Sequence, residues 1–294
     1  MSMPFPYVAK WVPNYAAYSS YLTAGEYEAS GTGVDVSQLI PGGTDTENLN
    51  ALNVALLRAS SWVDVFCRQV LGATVDLQSG TYRVDGNGLI VVSMANTPIV
   101  QVNSIAYGPT PGNLATLTDS TNVWIGEKTV SFPFAGFTGP ITPTAYFRAD
   151  GKQYVQIEYV NGWMNTLTTE DSAEGDSTIT TRNTLAALPG LPVTIYDPGN
   201  TETAIILSVT GNEITFAQPL LFAHTAGISV SAMPPAVKEA VVQFTSTIIK
   251  LRGTGAYVMP SYGQQPSKQE LIQAGGLLDY QAGTELLLPF RRAA

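Results

Sequence analysis

The sequence predicts an α+β protein in which a domain of helices, β-hairpins and a small sheet is interrupted by a small all-β barrel or sandwich. Two long amphipathic helical patterns lie far apart in the chain, at residues 45–71 and 235–252. Short alternating apolar segments, separated by Gly, Asn, Asp and Pro, fill most of the sequence between them. Because the segments within residues 164–232 have apolar positions for a core of their own, we expect that range to be an inserted domain.

The first helix is predicted from about Asp45 to Leu71. Thr44 and Glu47 fit a capping box, in which each side chain satisfies the backbone amide of the other residue. Gly72 is the expected stop signal. A spacing of three and four residues defines the buried stripe, which is formed by Leu49, Leu52, Leu56, Ala59, Val63, Phe66 and Val70.

Two further features of this helix carry expectations. Asp64 precedes Arg68 by four residues, which is the favourable order for an ion pair on the helix surface. Cys67 is interpreted as a small core residue, with a nucleophile as the alternative. As the only cysteine of the chain, it excludes an intramolecular disulfide.

The second helix is predicted over residues 235–252. Pro235 fits its first turn, where no amide partner is lost, and Gly253 ends it. After a loop, Ser267 is the expected N-cap of a short helix from Lys268 to about Ala274.

Strands are expected on both sides of the turn at Asp85-Gly-Asn-Gly88. Those outside the insertion are predicted at residues 73–84, 89–93, 99–107, 123–132 and 154–160, with a loop over residues 108–122. The insertion begins with an acidic segment, residues 170–176, which is interpreted as a flexible linker. Its strands are predicted at residues 177–181, 193–196, 202–209, 213–216 and 228–231.

The composition limits the classes of function. Charged residues make up only 13% of the chain, which is typical of β-rich structural or assembly proteins whose surfaces meet partners. With a net charge of −9, the chain lacks the excess of basic residues that is typical of a nucleic-acid-binding protein. An acidic protein can nevertheless surround DNA without gripping it. No apolar run reaches the roughly 18 residues of a membrane span, and the N-terminal sequence does not resemble a secretory signal. We therefore expect a protein that is made and used, or assembled, inside a cell, without a membrane partner.

Chemistry-bearing motifs are scarce. His224 is the only histidine, so a histidine-based metal cluster is excluded, and no Gly-x-Ser-x-Gly elbow accompanies it. His224 is interpreted as a loop or edge residue. Gly86 and Gly88 lie between two predicted strands, which is not the context of a dinucleotide-binding loop. The sequence predicts no catalytic residues, no metal site and no cofactor, and the expected protein is not an enzyme.

The N-terminal residues 1–43 are predicted to form an extended arm. Aromatic residues recur there without helical or strand periodicity, whereas disordered tails, the alternative, are usually poor in aromatics. The arm is expected to pack on its own chain or on a neighbouring subunit. The candidate subunit contacts are Phe5, Tyr7, Trp11 and Tyr15.

The C-terminal segment is unusually apolar for a chain end. One interpretation is a last strand that docks on its own chain. The other is a peptide that docks on a partner, with its two arginines paired to acidic groups. The candidate docking residues are Leu286, Leu287, Leu288, Pro289, Phe290, Arg291 and Arg292.

Three motifs in order carry a resemblance to a known family. A strand ends in Tyr-Val-Asn-Gly-Trp163, a helix opens with Pro-Pro-Ala-Val-Lys-Glu-Ala240, and the chain closes with Leu-Leu-Leu-Pro-Phe-Arg-Arg292. This order resembles the head–tail connector (adaptor, or head-completion) proteins of long-tailed bacteriophages. In that family, a strand ending in Tyr-x-x-Gly-aromatic leads almost directly to a helix opening Pro-x-x-(Val/Ile)-Lys-x-Ala. The resemblance covers residues 44–163 and 233–292, the expected connector domain, but neither the arm nor the insertion at 164–232.

The resemblance implies a homo-oligomeric ring, commonly of twelve subunits, in the neck of the virion. Such a ring binds the portal protein of the head and the next neck or tail component, and genomic DNA passes through it without specific binding. It is assembled in the host cytoplasm. The resemblance also implies that Leu286–Arg292 docks on the portal protein.

Two other kinds of function stay open at this point. The first is another virion component, such as a tail terminator, a collar protein or a decoration protein. The second is a host- or carbohydrate-binding module carried by the inserted domain, which exposed Trp and Tyr side chains beside an acidic groove would favour.

Overall fold

The computed structural model describes residues 19–118, 120–134, 151–252, 267–273 and 275–292. Their contacts divide the chain into two compact units, which are Met1–Gly72 with Met164–Ala294, and Ala73–Trp163. These units are drawn differently from the predicted domains, because residues 164–232 fall in the same unit as the helices. The predicted division into a connector domain and an insertion describes where the segments come from, whereas the compact units describe which residues contact one another. The predicted division stays a prediction.

The described residues of the first unit form three long helices and two short ones. Their bounds are α1 Ala24–Ala29, α2 Asp45–Cys67, α3 Pro235–Arg252, α4 Lys268–Gln273 and α5 Leu277–Leu287, followed by a 3-10 turn at Leu288–Phe290. The bounds of α3 are those that the sequence predicts. Helix α5 is not predicted, and it occupies the region where a last strand was one interpretation.

Helix α2 begins as predicted and ends early. Thr44 and Glu47 form the complete capping box. The helix ends at Arg68, which adopts a left-handed conformation with φ of 58° and whose amide bonds back to the last turn. The predicted stop at Gly72 is therefore wrong, because Arg68 takes the C-cap position four residues earlier.

Helices α2, α3 and α5 pack around three aromatic side chains. The ring of Phe244 stacks on Tyr280 with centroids 5.4 Å apart, and Trp62 meets both rings edge-on at 5.9 and 6.2 Å. Gly283 of α5 permits this approach, since a Cβ atom there would lie 2.6 Å from Cε1 of Phe244. The glycine is thus required for close packing rather than for a turn.

Residues 165–231 form a six-stranded antiparallel sheet in the order β8-β13-β10-β11-β12-β9. Its two outer strands are joined by a bridge between Thr168 and Thr181, which closes the sheet in the manner of a small barrel. We call this segment the barrel. Its strands are β8 Asn165–Leu167, β9 Thr178–Thr180, β10 Pro192–Tyr196, β11 Glu202–Thr210, β12 Glu213–Phe216 and β13 Ser229–Ser231.

Apolar side chains of the barrel are buried, and its two ends meet. Val193, Ile195, Ile214 and Val230 are among its fully buried side chains. At the ends, the amide of Ala232 donates to the carbonyl of Met164 at 2.9 Å. Chain entry and exit are therefore adjacent, which is the geometry that an inserted domain requires.

The acidic segment 170–176 is not the linker that was predicted. Ser172 and His224 exchange backbone hydrogen bonds of 2.8 and 2.9 Å, and the amide of Leu220 donates to the carbonyl of Asp176 at 2.8 Å. The segment is therefore built into the barrel, because its backbone pairs with the loop before β13.

The second unit contains two antiparallel sheets, ordered β1-β7-β3-β4 and β2-β6-β5. Their inner faces share one core that includes Ile90 and Phe132 of the smaller sheet and Ile157 and Tyr159 of the larger. The strands are β1 Thr74–Arg83, β2 Leu89–Ser93, β3 Ile99–Thr110, β4 Asn113–Thr116, β5 Trp124–Ile125, β6 Thr129–Pro133 and β7 Lys152–Asn161. Strand β4 falls inside the predicted loop 108–122.

Two sequence motifs take their expected places in this unit. The carboxylate of Asp85 accepts the amides of Asn87 and Leu89 and fixes the predicted turn between β1 and β2. Gly162 follows the end of β7 with a φ of 87°. Beside it, the amide of Ala73 donates to the carbonyl of Trp163 at 2.9 Å, so the two ends of this unit also meet.

The mixed α+β class is thus confirmed. The finer connector architecture remains a prediction.

Replacing Gly283 by Ala is expected to destabilise the protein. Alanine favours a helix interior over glycine by about 1 kcal/mol, but the new Cβ must displace the Phe244 ring, and such overpacking costs about 1–3 kcal/mol. We expect a net loss of about 1 kcal/mol in the free energy of unfolding, measured by urea titration. The exposed Gln281→Ala change on the same helix is the control, and a stabilised Gly283→Ala variant would contradict the packing described.

Candidate binding surfaces

The C-terminal segment docks on the end of helix α2 of its own chain. The amide of Arg292 donates to the carbonyl of Cys67 at 3.1 Å, and Nε2 of Gln69 donates to the carbonyl of Phe290 at 3.4 Å. The Arg291 guanidinium lies over the Phe66 ring, 5.2 Å from its centroid. The docking is therefore helical and 3-10 in form, not the strand that one interpretation expected.

Docking divides the seven candidate residues of this segment by exposure. Leu287 is fully buried, whereas 58% of Leu288 is exposed. We call the outward-facing part the tail surface, and it consists of Leu288, Pro289, Arg291 and Arg292. Leu286 and Phe290 are half-buried. An apolar pair and two cations thus face outward from a fixed backbone, which suits a partner with an apolar patch and acidic groups.

The four candidate contacts of the N-terminal arm, Phe5, Tyr7, Trp11 and Tyr15, lie outside the described residues. The later part of the arm packs on its own chain. The Tyr21 hydroxyl donates to Oδ1 of Asp64 at 2.6 Å and accepts the amides of Leu71 and Gly72. Asp64 is therefore buried. Its predicted surface pairing with Arg68 is wrong, because the helix ends between the two residues and the Asp64 carboxylate accepts a hydrogen bond from Tyr21 instead.

A buried ion pair joins the same arm to helix α3 and the barrel. Nζ of Lys238 lies 2.5 Å from Oε1 of Glu26, 3.1 Å from Oγ of Ser229 and 3.9 Å from the centre of the Tyr196 ring. Burial lowers the pKa of the Lys238 ammonium, while Glu26 opposes that shift. The Lys238 ammonium thus tethers α1 through Glu26 and the barrel through Ser229 and the Tyr196 ring.

His224 lies in the loop before β13, as the sequence predicted, and its side chain is buried between two carboxylates, which the sequence did not predict. Nδ1 lies 2.9 Å from Oδ2 of Asp197, and Nε2 lies 2.9 Å from Oε1 of Glu202. Sequence pattern could not find this cluster, since Asp197 and Glu202 are brought to His224 only by the pairing of the barrel strands. Its imidazole holds the loop before β13 against strand β11, and we call this arrangement the lock.

Glu202 also holds the same loop at Leu221 and Phe222. Its carboxylate accepts the amide of Leu221 at 2.9 Å and the amide of Phe222 at 3.1 Å. Burial alone would raise the pKa of this carboxyl, but the hydrogen bonds from Leu221, His224 and Phe222 together lower it below its ordinary value. The carboxylate thus stays charged and holds the loop backbone.

The locked loop presents apolar side chains to solvent. Leu221 is 67% exposed, and Phe222, Ile205 and Leu207 are also exposed. The amide of Ala217 donates to the carbonyl of Ile205, so the segment that leads to Leu221 runs beside strand β11. We call Ile205, Leu207, Leu221 and Phe222 the barrel surface. An exposed apolar cluster on a rigid backbone is a typical interaction site.

Within the described part of the chain, no group of three or more His, Cys, Asp or Glu side chains is placed to hold a metal ion. In the same residues, no helix combines the length and apolarity that crossing a bilayer requires. In comparisons with known proteins, no family model matches the chain and no curated protein is similar to it.

Cys67 is expected to resist alkylation in the folded protein. Burial first, and then the nearby Asp64 charge, raise the pKa of its thiol to about 12, so almost no thiolate exists at pH 8. Iodoacetamide should label the thiol only after unfolding in urea, as measured by intact-protein mass. Rapid labelling of native protein would show that the end of α2 is open.

Removing the imidazole of His224 is expected to destabilise the barrel. His224→Ala leaves the buried Glu202 carboxylate and the half-buried Asp197 carboxylate facing each other without the imidazole between them, which we expect to cost about 3 kcal/mol. Urea unfolding measures the loss. The exposed Glu174→Gln change in the same segment is the control and should stay within about 0.5 kcal/mol of the unaltered protein. Equal stability of His224→Ala and the control would contradict the lock.

Proposed function

We propose that this chain is a structural virion protein that forms a ring between the portal of a phage head and the tail and extends the DNA channel. The proposal rests on the order of the three connector motifs along residues 44–163 and 233–292. The protein acts by binding and not by catalysis. It resides at the head–tail interface after assembly in the host cytoplasm.

The tail surface is the structural feature that supports this proposal. Buried Leu287 and the backbone bond from Arg292 to Cys67 hold the segment, so Leu288 and the two arginines project from a fixed position. A partner then binds without first ordering a free peptide, which removes part of the entropic cost of association. In the proposed neck, the portal protein supplies the acidic and apolar counterpart.

The charge of the chain fits the passage of DNA. Acidic residues exceed basic ones by nine, so the chain lacks the excess of Lys and Arg that would grip the phosphate backbone. A basic lining would hold DNA by the release of counterions, whereas an acidic one lets it slide. The ring, of twelve copies by family resemblance, contacts DNA without reading its sequence.

The residues of the N-terminal arm, with Phe5, Tyr7, Trp11 and Tyr15, are proposed to contact neighbouring subunits in the ring. A carbohydrate-binding role of the barrel lacks the support that it would need. Residues 165–232 contain no Trp, and their only tyrosine, Tyr196, lies under Lys238.

Reversing both charges of the tail surface is expected to abolish portal binding. Charge-assisted hydrogen bonds each contribute about 1.5–3 kcal/mol, so the Arg291→Glu and Arg292→Glu double variant should bind portal protein at least about tenfold more weakly. Sedimentation of mixtures with portal protein of the same phage measures this. Lys268→Glu, a charge reversal of an exposed residue on α4, is the matched control.

Ring formation is tested by the mass of the unaltered protein, alone and with portal protein. A ring in either sample supports the proposal. A protein that stays monomeric and does not bind portal protein contradicts the proposal. A ring that binds tail protein but not portal protein would instead indicate a tail terminator or collar component.

A further inference from the structure

The barrel surface is an interaction site that the connector role does not use. Its backbone is fixed from inside, because Glu202 holds the amides of Leu221 and Phe222 and is itself held by His224. Barrel exteriors are usually polar, yet four large apolar side chains face solvent on two adjacent segments here. A buried charged cluster that fixes an exposed apolar loop points to a surface that is covered by something else.

The surroundings of this surface are acidic. Residues 165–232 hold seven carboxylates and only one Arg, Arg182, so they carry most of the net charge of the chain. The exposed acids Glu174 and Asp176 lie next to the apolar loop. The amide of Gly175 donates to the carbonyl of Leu220, and the amide of Leu220 donates to the carbonyl of Asp176. The occupant should therefore be apolar or aromatic, and cationic or neutral.

Residues 1–18 of the chain have this chemistry. They contain no acidic residue and one lysine, Lys10. Their large apolar side chains include Phe5, Tyr7, Trp11 and Tyr15. Aromatic side chains of this kind bury a large area at a small entropic cost and therefore serve as anchors in apolar surfaces.

The place where the described chain begins allows this segment to reach the surface. The carbonyl of Ser20 accepts Nδ2 of Asn165, so the chain enters beside strand β8. Thr166, next along β8, lies in one cross-strand row with Val230, Ile195 and Glu202. Three strand spacings of about 4.8 Å make this row roughly 14 Å long, whereas 18 extended residues span up to about 60 Å.

We propose that residues 1–18 of the same chain dock on the barrel surface before the protein assembles. The aromatic side chains cover Leu221, Phe222 and the exposed part of β11, and Lys10 lies near the acids of segment 170–176. The docked segment keeps an adhesive surface covered in the free protein. It also explains why the lock at His224 fixes a loop that carries no catalytic group.

Trypsin cleavage after Lys10 tests the proposal in the full-length protein. Docking protects this bond, so the Leu221→Asp and Phe222→Asp double variant should be cleaved there at least about tenfold faster, the factor expected from losing one buried large apolar contact or more. The matched control is Leu278→Asp on α5, a residue that is 77% exposed and should not change the rate. Circular dichroism confirms that both variants are folded. Equal cleavage rates in all three proteins overturn the proposal.

Cross-linking identifies the occupant directly. A photo-reactive phenylalanine in place of Leu221 is expected to give cross-links that map to residues 1–18 by mass spectrometry. Cross-links to any other segment overturn the assignment. Mixing light and heavy isotope-labelled protein distinguishes docking within one chain from docking between two copies. Cross-links that join light to heavy chains would show that a second copy is the occupant and would overturn docking within one chain.

Discussion

The first unit depends on the buried ion pair between Lys238 and Glu26. Lys238 belongs to helix α3, Glu26 to the N-terminal helix α1, and the same ammonium contacts Ser229 and Tyr196 of the barrel. One cation therefore joins α1, α3 and the barrel. Loss of either charge would leave its partner buried and uncompensated, at a cost of about 3–5 kcal/mol. The lysine is the one in the Pro-x-x-Val-Lys-x-Ala motif, so a motif that resembles a family signature has a structural reason here.

The same principle recurs at each candidate surface. Charged and polar side chains form hydrogen bonds inside the protein and hold the backbone of a nearby segment. Apolar side chains of that segment are exposed to solvent. Asp64 fixes Tyr21 at the end of α2, close to where Arg292 bonds to Cys67. Glu202 and His224 do the same for Leu221. Buried polar networks of this kind specify one geometry. The tail surface and the barrel surface are thus presented rigidly.

Local signals were enough to predict the capping box at Thr44, the bounds of α3 and most strands. Helix α5 was missed because Gly275, Gly276, Gly283 and Pro289 weaken its helical pattern, while packing of Gly283 against Phe244 outweighs that local cost. Long-range partners were missed as well. Tyr21 reaches Asp64 across 43 residues, and Asp197 reaches His224 across 27, and neither pairing leaves a periodic pattern in the sequence. The tail surface was therefore predictable in part, from its composition, whereas the barrel surface was not predictable from the sequence.

The hydrogen bond between Ala73 and Trp163 has a consequence for how this chain can change in evolution. The entropy of closing a loop grows only with the logarithm of its length, by about 0.6 kcal/mol for each doubling. Since the two ends of this unit already meet, everything between them can be lengthened, trimmed or exchanged with little thermodynamic penalty for the helices on either side. Insertions within that unit are therefore expected to cost helices α2 and α3 little stability.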